Sequence, residues 1–150
     1  MAIFQNLSTS ASALTAQRLR MDVISSNMAN IDTTRGSYVD GGWQPYRRKM
    51  VETQPQGAEF SSYLNKAMDN GHGVGGGVKV TKIVEDETPF KLVFDPEHPD
   101  ANEEGYVSLP NVDPLKEMVD IMSSTRSYEA NVTVFNASKS MLMKALEIGK

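Results

Sequence analysis

No cysteine occurs in this chain of 150 residues, which removes disulfides and thiolate metal sites from consideration. Long apolar runs are missing too, and no stretch approaches the length of a membrane-spanning helix. Met1 to Ser12 has neither the basic opening nor the apolar core of a secretory leader, so any export is expected to use a route that reads no cleavable signal. A strong charge of one sign is also lacking. The net charge of −4 gives no reason to expect nucleic acid or an anionic membrane as partner. There are two histidines, His72 and His98, and neither sits in a motif that would make it a base. No Ser, His and Asp arrangement has nucleophile context. The expectation is therefore a protein that is not an enzyme, with no catalytic residues, cofactor, metal or small-molecule substrate.

What charge there is lies in the middle. Residues 1–40 hold three acids and three bases, residues 111–150 hold five of each, and residues 41–110 hold eleven acids and seven bases. Neutral ends around an acidic middle suit ends that pack against protein and a middle that faces water.

The strongest pattern is at the C-terminus, where residues 111–150 read as one long helix. Met118, Ile121, Tyr128, Val132, Phe135, Leu142 and Leu146 recur at alternating steps of three and four, with Thr125 and Lys139 breaking the series. This is the heptad spacing that keeps one stripe facing a partner helix. Asp113 is placed to cap the helix, and Pro114 stands at the first helical position, where its missing N–H costs nothing. At 1.5 Å per residue, Pro114 to Ile148 makes a rod roughly 50 Å long, more than the small remainder of the chain is expected to cover.

Residues 3–31 carry a second stripe. Phe4, Leu7, Ala11, Leu14, Met21 and Met28 again fall at steps of three and four, with Arg18 and Ser25 at the polar positions. Seven of the first thirty residues are Ser or Thr, which lower helix propensity, so this helix is expected to order against a partner.

Between the ends lie strands and loops. Trp43 to Val51 reads as a strand whose basic triplet, Arg47-Arg48-Lys49, suits a solvated face or an interchain contact. Residues 57–70 suggest a short helix. The run Gly71-His72-Gly73-Val74-Gly75-Gly76-Gly77 contains Gly-x-Gly-x-x-Gly, but a dinucleotide fingerprint needs a strand before it and a helix after it, and the order here is reversed. A flexible linker is the reading its context supports. Val78 to Val84, Phe90 to Phe94 and Tyr106 to Leu109 read as strands. Asp95, Glu97, His98 and Asp100, interleaved with two prolines, describe an acidic solvated loop better than a coordination shell.

Asn27-Met28-Ala29-Asn30-Ile31-Asp32-Thr33-Thr34-Arg35-Gly36-Ser37-Tyr38 resembles the N-terminal signature of bacterial flagellar basal-body rod and hook proteins, an Asn-x-Ala-Asn-x-x-Thr core that closes the first helix. Asn27, Ala29, Asn30, Thr33, Gly36 and Tyr38 carry it. Asn27 and Asn30 are expected to terminate the helix through hydrogen bonds, and Gly36 permits the positive φ that reverses a chain. The resemblance continues through Pro89-Phe90-Lys91-Leu92-Val93-Phe94-Asp95-Pro96, His98-Pro99-Asp100-Ala101, Pro110-Asn111-Val112-Asp113-Pro114 and Ser127-Tyr128-Glu129-Ala130-Asn131, and so covers nearly the whole chain.

The resemblance implies an α+β chain whose long terminal helices pack into an α-helical coiled-coil tube, with a small β-rich middle outside it. The expected division is an N-terminal assembly helix and signature turn at 1–38, a β-rich middle at 39–110 and a C-terminal assembly helix at 111–150. Phe4, Leu7, Leu14, Met21 and Met28, with Met118, Ile121, Tyr128, Val132, Phe135, Leu142 and Leu146, would then form assembly interfaces. The implied partners are other copies of the chain, rod proteins of the FlgB, FlgF and FlgG types, the FliE-type adaptor between rod and MS ring, and the flagellar type III export apparatus. The implied place is the flagellar basal body in the cell envelope, reached without a cleavable signal peptide. Two other classes compete: a helical effector, chaperone or other axial protein of a type III export system, and a small enzyme using the acidic loop.

Overall fold

A computed structural model describes residues 2–39, 41–56 and 76–148, with side chains from Phe4 onward. The expected helix at 57–70 and the glycines at 71–75 lie outside the described residues. The fold is α+β. Helix α1 is Ala2–Ala29 and helix α2 is Pro114–Ile148, and among the described residues six strands lie between them: β1 (Ser37–Val39), β2 (Gly42–Gln44), β3 (Lys49–Pro55), β4 (Val78–Glu85), β5 (Lys91–Phe94) and β6 (Tyr106–Leu109). These strands form three two-stranded ribbons, β1 with β2, β3 with β4, and β5 with β6. A lone two-stranded ribbon is marginal in water, so each relies on what it packs against. Among the described residues, no helix is long and apolar enough to cross a membrane.

Both helices start or stop where local chemistry dictates. Asp113 caps α2, its Oδ1 accepting from the Leu115 amide at 3.0 Å and its carbonyl from the Glu117 amide at 3.0 Å. At the end of α1, the Asn30 side chain donates to the Ser26 carbonyl at 2.8 Å and accepts from the Thr33 hydroxyl at 3.2 Å. The last turn is thereby closed without glycine. The stretch expected as one strand, Trp43 to Val51, is two. Pro45, which has no N–H to give a ladder, separates β2 from β3. The Tyr46 amide beside it donates instead to the Thr33 carbonyl at 3.0 Å.

The described residues divide into two compact units, one drawn from those within 1–19, 51–82 and 123–150, the other from those within 20–50 and 83–122. In the first, Val78 donates its amide to Ser12 Oγ at 3.0 Å, and that hydroxyl donates to the Thr9 carbonyl at 2.7 Å. Gly77 is buried here so tightly that a Cβ would collide with Ser12 Oγ. Gly77 is therefore a packed contact with α1. In the second unit, Tyr38 and Trp43 face each other across β1–β2 with rings edge to face at 5.3 Å, and the turn passes through Gly41 at φ 84°. Register on β5–β6 pairs Val93 with Val107 and Phe94 with Tyr106, and Val107 is buried.

Candidate assembly site

The signature segment and the start of α2 meet in the second unit around one carboxylate. Glu117 is fully buried and Asn27 nearly so. Asn27 Nδ2 donates to Glu117 Oε2 at 3.0 Å and to the Lys49 carbonyl at 2.9 Å, while Asn27 Oδ1 accepts from the Lys49 amide at 2.9 Å and the Tyr46 hydroxyl at 3.1 Å. Both donors and the acceptor oxygen of the amide are thus used. Asn27 pairs with Lys49 as a strand neighbour would, and so joins the end of α1 to the start of β3.

Arg48 supplies the counter-charge. Its Nε donates to Glu117 Oε1 at 2.6 Å, a second nitrogen reaches Asp120 at 3.3 Å, and a third lies 3.5 Å from Asp86. Its backbone amide donates to Asn111 Oδ1 at 2.8 Å, and Asn111 in turn donates to the carbonyls of Asp86 and Thr88. Burial works against the guanidinium's charge, but hydrogen bonding to and attraction from Glu117, aided by Asp86 and Asp120, raise its pKa above the usual arginine value. The Thr88 amide, with the Thr88 hydroxyl and the Arg48 charge, holds the Asp86 carboxyl below the usual aspartate range against its desolvation. An isolated buried carboxylate would be expensive, and here each oxygen of Glu117 has a partner.

A second clasp holds the rest of the signature. Asp100 accepts from Arg35 Nε at 2.8 Å and from the Thr34 hydroxyl at 2.7 Å. The hydrogen bond from Arg35, then that from Thr34, lowers the Asp100 pKa, and Asp100 raises that of Arg35. The acidic loop is therefore tied to the turn and is not merely solvated. Gly36 is required for a different reason from the one expected. Positive φ occurs at Gly41 and Gly105, whereas a Cβ on Gly36 would stand 2.6 Å from the Tyr46 amide nitrogen. Close backbone approach, rather than chain reversal, calls for glycine there. Of the other signature residues, Thr33 is half-buried, while Ala29 and Tyr38 are exposed.

The helix faces are occupied in a way the apolar periodicity did not indicate. On α2 the buried residues are Glu117, Ser124 and Ser138, and the half-buried ones include Ile121, Tyr128, Asn131, Val132, Phe135 and Leu142. Residues 117, 121, 124, 128, 131, 135, 138 and 142 thus form a 3.5-residue repeat in which every second position is polar. On α1 the buried positions are Ser10, Ala16, Val23, Ile24 and Asn27, with Leu7, Leu14 and Met21 half-buried. Phe4, Met28, Met118 and Leu146 are exposed. Arg48, Asp86, Asn111 and Glu117 were missed as a group because none of them adds to a hydrophobic signal. The available clue was polar residues recurring at seam spacing on α2.

Comparison with known proteins places this architecture. The family model described as "Flagella basal body rod protein" matches residues 7–35, and the one described as "Flagellar basal body rod FlgEFG protein C-terminal" matches residues 103–148. The chain is 67% identical over 150 residues to the flagellar basal-body rod protein FlgC of Bacillus subtilis, covering all of both chains. It is 45% identical over 159 residues to that of Borreliella burgdorferi, covering 99% of this chain and 98% of the relative. With the FlgC of Salmonella typhimurium it shares 42% over 150 residues, again covering both chains fully.

Two outcomes follow for the isolated protein. Arg48→Met leaves Glu117 buried without its counter-charge and is expected to lower stability by about 3–5 kcal/mol, read from the urea midpoint of the purified chain. A change within about 0.5 kcal/mol, as at an ordinary surface site, would contradict the cluster's role. The second concerns acid. Asp86 and Asp100 have depressed pKa values in the folded state, so their contribution is complete above the unfolded carboxyl value of about 4 and is lost as pH falls through the lower folded values. Unfolding midpoints should hold steady from about pH 7 to about 5 and drop below about 4, with a shallower drop in Asp100→Asn.

Proposed function

The chain belongs to the FlgC family of flagellar basal-body rod proteins, and on that footing we infer that it builds the rod through helix surfaces its own fold leaves uncovered. It is a structural subunit of the rod, located in the flagellar basal body, and not an enzyme. It assembles with other rod components. The effector or chaperone alternative is not favoured, because identity to FlgC relatives runs through the middle as well as the ends.

The observation that carries the assembly reading is the imbalance between core and surface. Among the described residues, prolines aside, five apolar side chains are buried while nineteen large ones are exposed, an excess that calls for cover by neighbours. Eight of the nineteen are on α2 apart from its final residue: Leu115, Met118, Val119, Met122, Val134, Met141, Met143 and Leu146. In the proposed arrangement, α1 and α2 of neighbouring copies pack as a coiled-coil tube, and the middle, 39–110, lies outside it. The polar seam on α2 serves contacts within a copy, while Phe4, Met28, Met118 and Leu146 meet other copies. Leu7, Leu14, Met21, Ile121, Tyr128, Val132, Phe135 and Leu142 keep part of their surface for the same purpose. The neighbours are further copies, rod proteins of the FlgB, FlgF and FlgG types and the FliE-type adaptor. Export unfolded through the flagellar type III apparatus suits a chain with no disulfide to reduce.

Leu146→Asp tests this reading. Leu146 is 73% exposed in the single chain, so the substitution should shift the monomer's stability by no more than about 0.5 kcal/mol. Within the rod it places a charge in a dry contact, and cells carrying it should export the protein yet build no rod and fail to swim. Normal motility would remove α2 from the assembly surface.

A further inference from the structure

The β5–β6 ribbon has an inner and an outer face, and they are used differently. Register places Val93 and the buried Val107 on the inner face. Leu92, Phe94 and Tyr106 are on the outer one, at 65%, 63% and 42% exposure. The rings of Phe94 and Tyr106 meet edge to face at 5.3 Å. Gly105, at φ 81°, lies so close that a Cβ there would stand 3.1 Å from Phe94 and 3.3 Å from Pro96. The turn therefore gathers Pro96 beside the aromatic pair. Inner-face packing does not need these side chains, yet they form one presented apolar surface with preset ring geometry.

The rim of that surface is acidic. Asp95, Glu97, Glu103 and Glu104 are exposed, and none has a cation within ion-pair distance among the described residues. Asp100, the fifth acid of residues 91–106, is taken by Arg35, and Lys91 is the one base of the segment. An aromatic centre within a charged rim is the anatomy of a protein-binding hot spot. Charge then selects the occupant. A second copy docking through the same face would set four carboxylates against four, and its neutral end helices bring no excess of positive charge. An anionic membrane would be repelled.

We propose that the outer face of the β5–β6 ribbon docks a basic surface on a protein other than this one, with Leu92, Phe94 and Tyr106 as the anchor and Asp95, Glu97, Glu103 and Glu104 as the matching rim. The proposal rests on the rod reading for where that partner is met, which is the assembled basal body.

The experiment uses the full chain in its native host, with a photo-crosslinking residue at Leu92, or at Tyr106 if the first label blocks incorporation. Basal bodies are purified after irradiation and the crosslinked peptides sequenced. The expected result is an adduct with a different protein at a peptide of net positive charge. Combining Glu103→Lys with Glu104→Lys should abolish that adduct per incorporated chain and leave the thermal unfolding midpoint of the purified protein in place. Adducts only between copies of this chain, adducts on acidic peptides, adducts that survive the charge reversal, or no adduct in basal bodies that contain the labelled chain would overturn the proposal. Absence of the unlabelled chain from basal bodies would overturn the rod reading, and the docking proposal with it.

Discussion

Glu117 is a carboxylate with no exposed surface, and the second unit is arranged to give both of its oxygens partners. A group of this kind is stable only with a cation and hydrogen-bond donors in place. Arg48 provides the first and Asn27 part of the second, and each of these is fixed by further partners. Four segments far apart in sequence, those holding Asn27, Arg48, Asp86 and the pair Asn111 and Glu117, are thereby brought to one place. Apolar burial alone would specify this much less sharply, because among the described residues there the buried apolar side chains, prolines aside, are Val23, Ile24, Val107 and Val112.

This arrangement gives the signature segment a physical role. Asn27 is a junction between helix end and strand start, Asn30 and Thr33 close the last turn, and Arg35 with Thr34 holds the following loop through Asp100. Gly36 lets the chain pass against Tyr46. A rod subunit must present the same helix surfaces in every copy. A junction made of directional hydrogen bonds fixes where the end of α1 and the start of α2 lie within this unit better than a sliding apolar contact would.

Much of this was legible in the sequence. The extent of α2 followed from Asp113, Pro114 and an unbroken helical pattern, and β4, β5 and β6 followed from their β-branched and aromatic runs. The buried face of α2 was only half legible. Ile121, Tyr128, Phe135 and Leu142 lie on it as their spacing implies, but its other positions are Glu117, Ser124, Asn131 and Ser138, one residue before Met118, Thr125, Val132 and Lys139. Hydrophobic periodicity adds residues that face inward to residues that the single chain leaves exposed, and so it gives a stripe lying between the two. Arg48 sits in a basic triplet whose pattern suits a solvated face or an interchain contact, and Asp100 in a loop whose composition suits solvent. Their partners, Glu117 and Arg35, are 69 and 65 residues away, a separation that local pattern does not register.

The central claim is that the uncovered apolar side chains of α2 are covered by neighbouring subunits. Methionine oxidation reads this directly, since Met118, Met122, Met141 and Met143 are each about half exposed in the single chain. Brief peroxide treatment of the purified monomer and of purified basal bodies, followed by peptide mass spectrometry, compares the same four sulfurs in both states. The account predicts rapid oxidation of all four in the monomer and protection of Met141 and Met143, with at least one of Met118 and Met122, in the basal body. Equal oxidation of all four in the two states would contradict it.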